Sequence, residues 1–366
     1  MSVKLNLLFV SGTYIPASGG SEISMHTLLV ELARRGHHVA VLTDPGRYGR
    51  VGWELLDGVP VRRVASQYLE DALAETIAVQ RPEVVLTQLM WSERVLRWCN
   101  RRGLPTVYFL RSVGVTLDLR HSSEYAPTVI VANSSTTREY ALQQWKREAI
   151  VVYPIIRLAD YLVDPTVAVP QFITMFNPIR EKGGHIFRAI AERMPDRLFL
   201  AVEGWHHWKR ADGSWDMARL TESARSFGSV QARPPEEIRL DDLPNVICEP
   251  AREDVRTIYA RTRLLLVPSV WPEPYARVIL EAMVNGIPVL YSGTGSTNEA
   301  ALEAGIRVED HLNPDAWVAA IKSLDDPEIY QAAAQAARER AATYDYMAEV
   351  NKVESLLLSI RAVSSA

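Results

Sequence analysis

The chain is nearly without cysteine: Cys99 and Cys248 stand far apart, in no CxxC and beside no histidine cluster. Neither a disulfide framework nor a structural zinc site is expected. No stretch approaches the ~20 apolar residues of a membrane span. The run in MSVKLNLLFVSG meets glycine and tyrosine too early for a secretory signal, so a cytoplasmic location is expected. A strong charge of either sign is missing as well. Net charge is -4 over 366 residues, which speaks against nucleic acid as a partner. Lysine is scarce, with 34 of the 40 basic residues being arginine, a skew that needs no phosphate surface to explain it. Residues 1–155 hold 17 basic against 14 acidic residues and the remainder 23 against 30. That small excess is read first as solvated surface, with peripheral contact to a lipid headgroup layer or an acidic acceptor left open. What is present, 48% hydrophobic and 23% charged residues, is the balance of a globular protein, long enough for two domains of ~150 residues.

Apolar runs and helical patterns alternate. Leu5–Val10 ends in a Gly/Pro/Ser loop, Ser21–Arg35 places Ile23, Leu28 and Leu32 at helical spacing and stops at Gly36, and Val39–Leu42 is the next run. Further strands are expected at Val84–Thr87, Thr106–Leu110, Val129–Val131 and Ile150–Val152, with helices at Leu69–Gln80, Glu93–Arg102 and Ser134–Trp145. After a Pro- and Asp-rich linker, Tyr153–Pro170, the alternation restarts. Strands are expected at Phe172–Met175, Leu198–Val202, Val246–Cys248, Leu264–Val267 and Pro288–Tyr291, with helices at Gly183–Arg193, Asp254–Arg261 and Ala276–Asn285. Trp205–Leu243 reads as a polar, aromatic surface excursion. Such alternation implies parallel sheets covered on both faces, here two doubly wound α/β domains with a cleft between them.

Three stretches carry chemistry. In SGTYIPASGGSEISMHTLL, Gly19-Gly20 lets the backbone pass close to a ligand at a helix start, although such a pair is as often only a turn. The dinucleotide fingerprint GxGxxG is absent, which counts against a dehydrogenase. In MFNPIREKGGHIF, Arg180 and Lys182 follow a strand and precede a helix, a natural diphosphate site whose plain alternative is a solvated loop. In VPSVWPEPYARVILEAMVNGIPVLYSGTGSTNE, Glu273 ends a loop and Glu281 lies eight residues on, inside the following helix. Carboxylates flanking a helix start suit sugar hydroxyls, each of which gives a charge-assisted hydrogen bond.

From the GGSE helix and RGHHV, through VANSS, VVYP and NPIREKGG, to the Glu-x7-Glu segment and the GTGSTNE loop, the chain resembles a retaining GT-B glycosyltransferase of sequence family 4. The resemblance implies two Rossmann-like domains facing a cleft: residues 1–155 for the acceptor, 156–345 for the nucleotide sugar, and a final helix in 346–366 crossing back onto the first domain. It implies Glu273 at the donor sugar's hydroxyls and Glu281 at the ribose. Backbone of Tyr275, Ala276 and Arg277 would meet the sugar and phosphates, Lys182 the leaving diphosphate, and Gly19 and Gly20 the donor from the other domain. Gly204 and Pro250–Arg252, Arg252 included, would border the base.

Three departures stand out. Asn177 occupies a position where many members have Arg, so Arg180 is expected to supply that charge. Pro274 follows the first Glu in place of Gly and has no N–H. Arg111-Ser112 stands where His-Asp is common, so Arg111 becomes the acceptor-side candidate. Trp91, Trp98 and Tyr108 are weighed as an aromatic platform for the acceptor against plain core packing. No Asp-x-Asp motif sits at a strand end, so no metal and no cofactor are expected, and leaving-group charge would be met by Lys182 and Arg180. The function expected is hexose transfer from a nucleotide diphosphate sugar, UDP favoured, to the hydroxyl of a glycan, lipid or small natural product. A nucleotide-sugar epimerase of the same fold and a noncatalytic partner subunit are the alternatives.

Overall fold

The structure is a computed structural model and describes residues 3–16, 19–46, 50–115, 117–204, 238–252 and 254–364. It separates into two compact units. The first runs to Ile156 and takes in the chain again from Tyr346, and the second spans Arg157–Asp345, each within the described residues.

The first unit holds an eight-stranded sheet: β1 (Asn6–Ser11), β2 (His38–Thr43), β3 (Gly52–Leu56), β4 (Val59–Arg63), β5 (Val84–Gln88), β6 (Thr106–Leu110), β7 (Val129–Ala132) and β8 (Ile150–Val151), in the order β3-β4-β2-β1-β5-β6-β7-β8. Runs such as LLFV, VAVL and VYFL are apolar at every position because both faces are covered. Leu7 and Phe9 point into a cluster shared with helix α1 (Gly20–Arg34), and Leu8 and Val10 into a cluster on the other face, shared with α2 (Leu69–Gln80) and α3 (Ser92–Asn100). The helix expected over Ser134–Trp145 is α4 (Ser135–Tyr140), capped by Ser134, followed by a π-helical turn over Ala141–Trp145. One pairing departs from the parallel expectation. β3 and β4 are antiparallel, joined by Asp57 and Gly58 at φ 48° and 84°, the paired left-handed conformation of a tight two-residue hairpin.

The last helix, Tyr346–Ser364, belongs to this unit. Val350, Val353, Leu357 and Ile360 complete the α1-side core. Its Glu354 accepts from His37 Nε2 at 2.9 Å and from Arg35, while Glu349 accepts the Tyr153 N–H at 2.9 Å. Gly36, at φ 90°, ends α1 in a double reverse bond, its N–H on Ala33 and that of His37 on Leu32, which turns His37 toward the helix.

The second unit holds β9 (Phe172–Phe176), β10 (Phe199–Val202), β11 (Val246–Glu249), β12 (Thr262–Val267), β13 (Val289–Tyr291) and β14 (Ile306–Arg307), all parallel in the order β11-β10-β9-β12-β13-β14. Its helices are α5 (Gly184–Arg193), α6 (Arg256–Tyr259), α7 (Arg277–Met283), α8 (Thr297–Ala301), α9 (Pro314–Ser323) and α10 (Pro327–Ala342), with Tyr346–Ser364 as α11. The linker is ordered where it meets this unit: Leu158–Tyr161 forms a 3-10 turn and Val169 donates to Ala260 O at 2.8 Å. Of the expected excursion Trp205–Leu243, residues 205–237 lie outside the described residues, and Leu240 beyond them is core.

Candidate active site

In an open parallel sheet, the two strands at which the connection order reverses leave their carboxyl-end loops side by side, and ligands bind there. In the second unit those strands are β9 and β12. Their loops are Asn177–Gly183 and Pro268–Ala276, which contain six of the residues singled out by sequence: Asn177, Arg180, Lys182, Glu273, Tyr275 and Ala276.

The two loops are pressed together backbone to backbone. A Cβ on Gly183, at φ 85°, would stand 2.0 Å from Pro268 O of the other loop, while one on Gly184 would stand 2.1 Å from Pro178 O of its own loop. The Val270 N–H donates across to Glu181 O at 3.0 Å. This approach delivers Lys182 to Glu273: Nζ lies 2.6 Å from Oε1 and 2.5 Å from Oε2. Ser269 Oγ adds a bond to Oε2 at 3.1 Å. The Glu273 side chain is only 6% exposed and that of Lys182 24%, so the pair is largely withdrawn from water on the carboxylate side. From the loop after β13, the Ser296 N–H donates to Glu273 O at 2.8 Å, and Gly295 (φ 56°) lies so close that a Cβ would stand 2.3 Å from Glu273 N.

Glu281 sits apart from that pair, with partners of its own. One oxygen faces Arg277 Nε at 3.3 Å, the other accepts from Tyr259 OH at 2.9 Å, and Arg277 Nη2 donates to Tyr161 OH at 2.8 Å. Burial, reinforced by the Glu281 charge, pushes the Tyr161 hydroxyl up to about 12 and the Tyr259 hydroxyl well above its ordinary value. Burial alone would lower Arg277, yet Tyr161 and Glu281 hold it above its ordinary value, so it stays charged. Tyr275 and Ala276 are buried at the turn into α7, with the Arg277 N–H on Tyr275 O at 3.2 Å.

Asn177 ends β9 at φ 56°, and Gly204, after β10, packs against it: a Cβ there would stand 2.6 Å from Asn177 Cγ. Arg180 is exposed on the same loop. Arg252 lies two strands away, beside the edge strand β11, and donates to Glu249 at 3.1 Å. The bond from Arg261, outweighing the cost of its burial, holds the Glu249 carboxyl below its usual range.

In the first unit the reversal falls at β1, between β2 and β5, and the loop after β1 leads to Gly19-Gly20. Gly19 caps α1, and a Cβ on it would stand 2.1 Å from Glu22 Oε2. Glu22 is buried and accepts from Thr13 Oγ1 at 2.7 Å and Ser21 Oγ at 2.8 Å. Arg111 Nε donates to Gln88 Oε1 at 2.9 Å, and Gln88 Nε2 to Ser21 O at 3.3 Å, which ties the end of β6 to the start of α1. The aromatic platform is corrected. Trp91 and Tyr108, each 3% exposed, pack in two different clusters, and the Trp98 ring lies under the Arg102 guanidinium at 3.7 Å. Trp91 is held inside by the bond from its Nε1 to Ser66 Oγ at 3.1 Å, so core packing accounts for it.

Sequence reading missed Ser269 as a partner of Glu273, although Pro268-Ser269 was part of the motif. It also missed Tyr161 and Tyr259, which no local signal marks, because only the tertiary fold brings them to Glu281. Among the described residues no group of three or more His, Cys, Asp or Glu side chains is placed to hold a metal ion.

Two Rossmann-like parallel-sheet units in one chain, with cation and carboxylate joined at the reversal point of the second, define the GT-B architecture. A structure of sucrose-phosphate synthase from Thermosynechococcus elongatus superposes with a TM-score of 0.75 at 19% identity, over 98% of this chain and 99% of that one. HepE of Anabaena, solved with UDP and glucose, superposes at 0.72 with 16% identity, over 97% and 100%. Two family models match, the glycosyl transferase 4-like domain over residues 19–155 and glycosyl transferases group 1 over 244–340. The chain belongs to the group 1 glycosyltransferases. D-inositol 3-phosphate glycosyltransferase of Corynebacterium diphtheriae is 32% identical over 107 residues, which is 28% of this chain and only 25% of the length of that relative. None of the described helices is long and apolar enough to cross a membrane.

Proposed function

We propose that the chain transfers a hexose from a nucleotide diphosphate sugar, with UDP as the favoured nucleotide, to an acceptor hydroxyl with retention of anomeric configuration and without a metal ion. The observation that carries this reading is the Lys182–Glu273 pair at the β9/β12 reversal point, with Lys182 Nζ 2.6 and 2.5 Å from the two carboxylate oxygens. A cation there meets the negative charge that grows on the diphosphate as the glycosidic bond breaks, and Arg180 on the same loop adds to it. The carboxylate accepts from sugar hydroxyls. The acceptor oxygen forms its bond to the anomeric carbon on the face the diphosphate leaves, and its proton passes to the departing phosphate oxygen. Glu273 orients the sugar and is not consumed. Glu281, fixed by Arg277 and Tyr259, is assigned to the ribose. The preference for UDP draws on HepE, which has been solved with UDP-glucose.

The test is direct. The purified chain is incubated with UDP-, GDP- and dTDP-glucose and a panel of glycan, lipid and small-molecule acceptors, with and without excess chelator, and products are followed by mass and by anomeric configuration. Retained products from UDP-glucose, unaffected by chelator, are expected. A preference for GDP, inverted products, or loss restored by Mg²⁺ each overturns its own part. Conversion of the donor to another nucleotide sugar would make the chain an epimerase.

A further inference from the structure

We propose that Ser269 is the positioning residue that holds Glu273 in place once the donor diphosphate draws Lys182 away. The proposal rests on the glycosyl-transfer reading above. In the structure, Lys182 spans both oxygens of Glu273 while Ser269 Oγ holds Oε2 alone, at 3.1 Å. A lysine ammonium on a flexible stem reorients toward a more highly charged partner. Without a second anchor, the carboxylate would lose its orientation at the moment the sugar needs it. Ser269 supplies that anchor and leaves Oε1 to accept from a sugar hydroxyl.

Three observations make it a rigid anchor. Ser269 is 1% exposed, so bulk water does not compete for its hydroxyl. Its carbonyl accepts from Thr294 Oγ1 at 3.0 Å, and that hydroxyl pairs with Ser292 Oγ at 2.9 Å. The same loop grips the other end of Glu273, through the Ser296 N–H on Glu273 O at 2.8 Å and the close approach of Gly295. Side chain and main chain of Glu273 are therefore referred to one scaffold, the turn after β12 and the loop after β13. A neutral hydroxyl suits the task, since a second cation would compete with Lys182 for the carboxylate.

Steady-state kinetics on the full chain test this, with a nucleotide sugar that the unsubstituted protein turns over. The variants are Ser269→Ala, Ser269→Thr, Glu273→Gln and the Ser269→Ala/Glu273→Gln double variant. Ser269→Ala is expected to lower kcat about tenfold with donor KM within about twofold, and Ser269→Thr to recover most of the loss. In the Glu273→Gln background, removing the serine is expected to cost nothing further, because its effect passes through Glu273. Unchanged kcat in Ser269→Ala, or an undiminished further loss in the double variant, overturns the proposal; the second result would mean that Ser269 matters only for packing. If Ser269→Thr does not fold, the double-variant cycle decides alone. No turnover of any nucleotide sugar by the unsubstituted chain overturns the transfer reading itself, whereas turnover with normal Ser269→Ala kinetics overturns only the role of Ser269.

Discussion

Both units carry a glycine pair after a strand at the reversal point of a parallel sheet, and the two pairs exist for different physical reasons. At Gly183-Gly184 the obstacle is main chain: Pro268 O and Pro178 O occupy the space a Cβ would need. At Gly19 the obstacle is the end of a side chain, Glu22 Oε2, which bends back to the helix start under the hydroxyls of Thr13 and Ser21. The first arrangement welds two loops and so sets the distance between a lysine and a glutamate. The second makes room for a buried carboxylate. A glycine pair read from sequence as a ligand loop can therefore be a packing requirement whose functional effect is indirect.

The sharpest way to break this contrast is Gly183→Ala. Its methyl group meets an immovable carbonyl in a left-handed conformation, so a loss of ~3 kcal/mol or more in urea unfolding is expected. A loss below ~1 kcal/mol would mean that the two loops part easily. Next comes the pair those loops assemble. Lys182→Ala is expected to lower kcat about a hundredfold, ~2.7 kcal/mol, and Arg180→Ala about tenfold, ~1.4 kcal/mol, with smaller changes in donor KM. Near-normal kcat in Arg180→Ala would leave Lys182 to carry the charge without it. Gly19→Ala should cost only ~1 kcal/mol, about one displaced hydrogen bond, because only the Oε2 end of Glu22, with its bond from Ser21, has to shift. Equal unfolding midpoints for Gly19→Ala and Gly183→Ala would erase the distinction.

The smallest effect expected is at the far end of α1. Burial works to raise the Glu354 carboxyl, but the bonds from His37 and Arg35 prevail and hold it below its usual range. A lowered folded-state pKa means that its contribution is present above the unfolded value, ~4.3, and is lost as pH falls through the folded one. Protection of the α11 amides, measured as exchange relative to the intrinsic rate at each pH, should fall in that acid window, and Glu354→Gln should remove that fall. Protection that stays constant across that window in the unsubstituted chain would show that the apolar face alone holds the helix.

Much of this was legible beforehand. Apolar runs alternating with helical patterns marked the buried strands, and Leu69–Gln80 and Thr106–Leu110 coincide with their elements residue for residue. Glu273 and Lys182 were legible because their motifs follow strands, and the fold then joined them. The β3–β4 hairpin was overlooked although Asp57-Gly58 is a strong turn signal, because Gly52–Leu56 leaves Trp53 and Leu55 exposed and so lacks the pattern of a buried strand. For Trp91 the sequence left an acceptor platform and core packing open, since an aromatic ring suits both, and only the fold shows it buried with its Nε1 on Ser66, 25 residues earlier in the chain. Ser269 and Tyr161 were illegible as partners, since nothing local to a serine or a tyrosine says which carboxylate or guanidinium the fold will bring to it.

The position of α11 also orders events in time. The first unit is left unfinished when the chain departs at Ile156, and four apolar side chains of its core, Val350, Val353, Leu357 and Ile360, are made only after the whole second unit has been synthesised. On the ribosome, the part begun first is thus the part completed last, and its open apolar face must wait through nearly two hundred residues of translation. A chain broken off before α11 keeps every residue of the Lys182–Glu273 site and yet lacks a closed first core, so it is docking of this helix that closes the first unit.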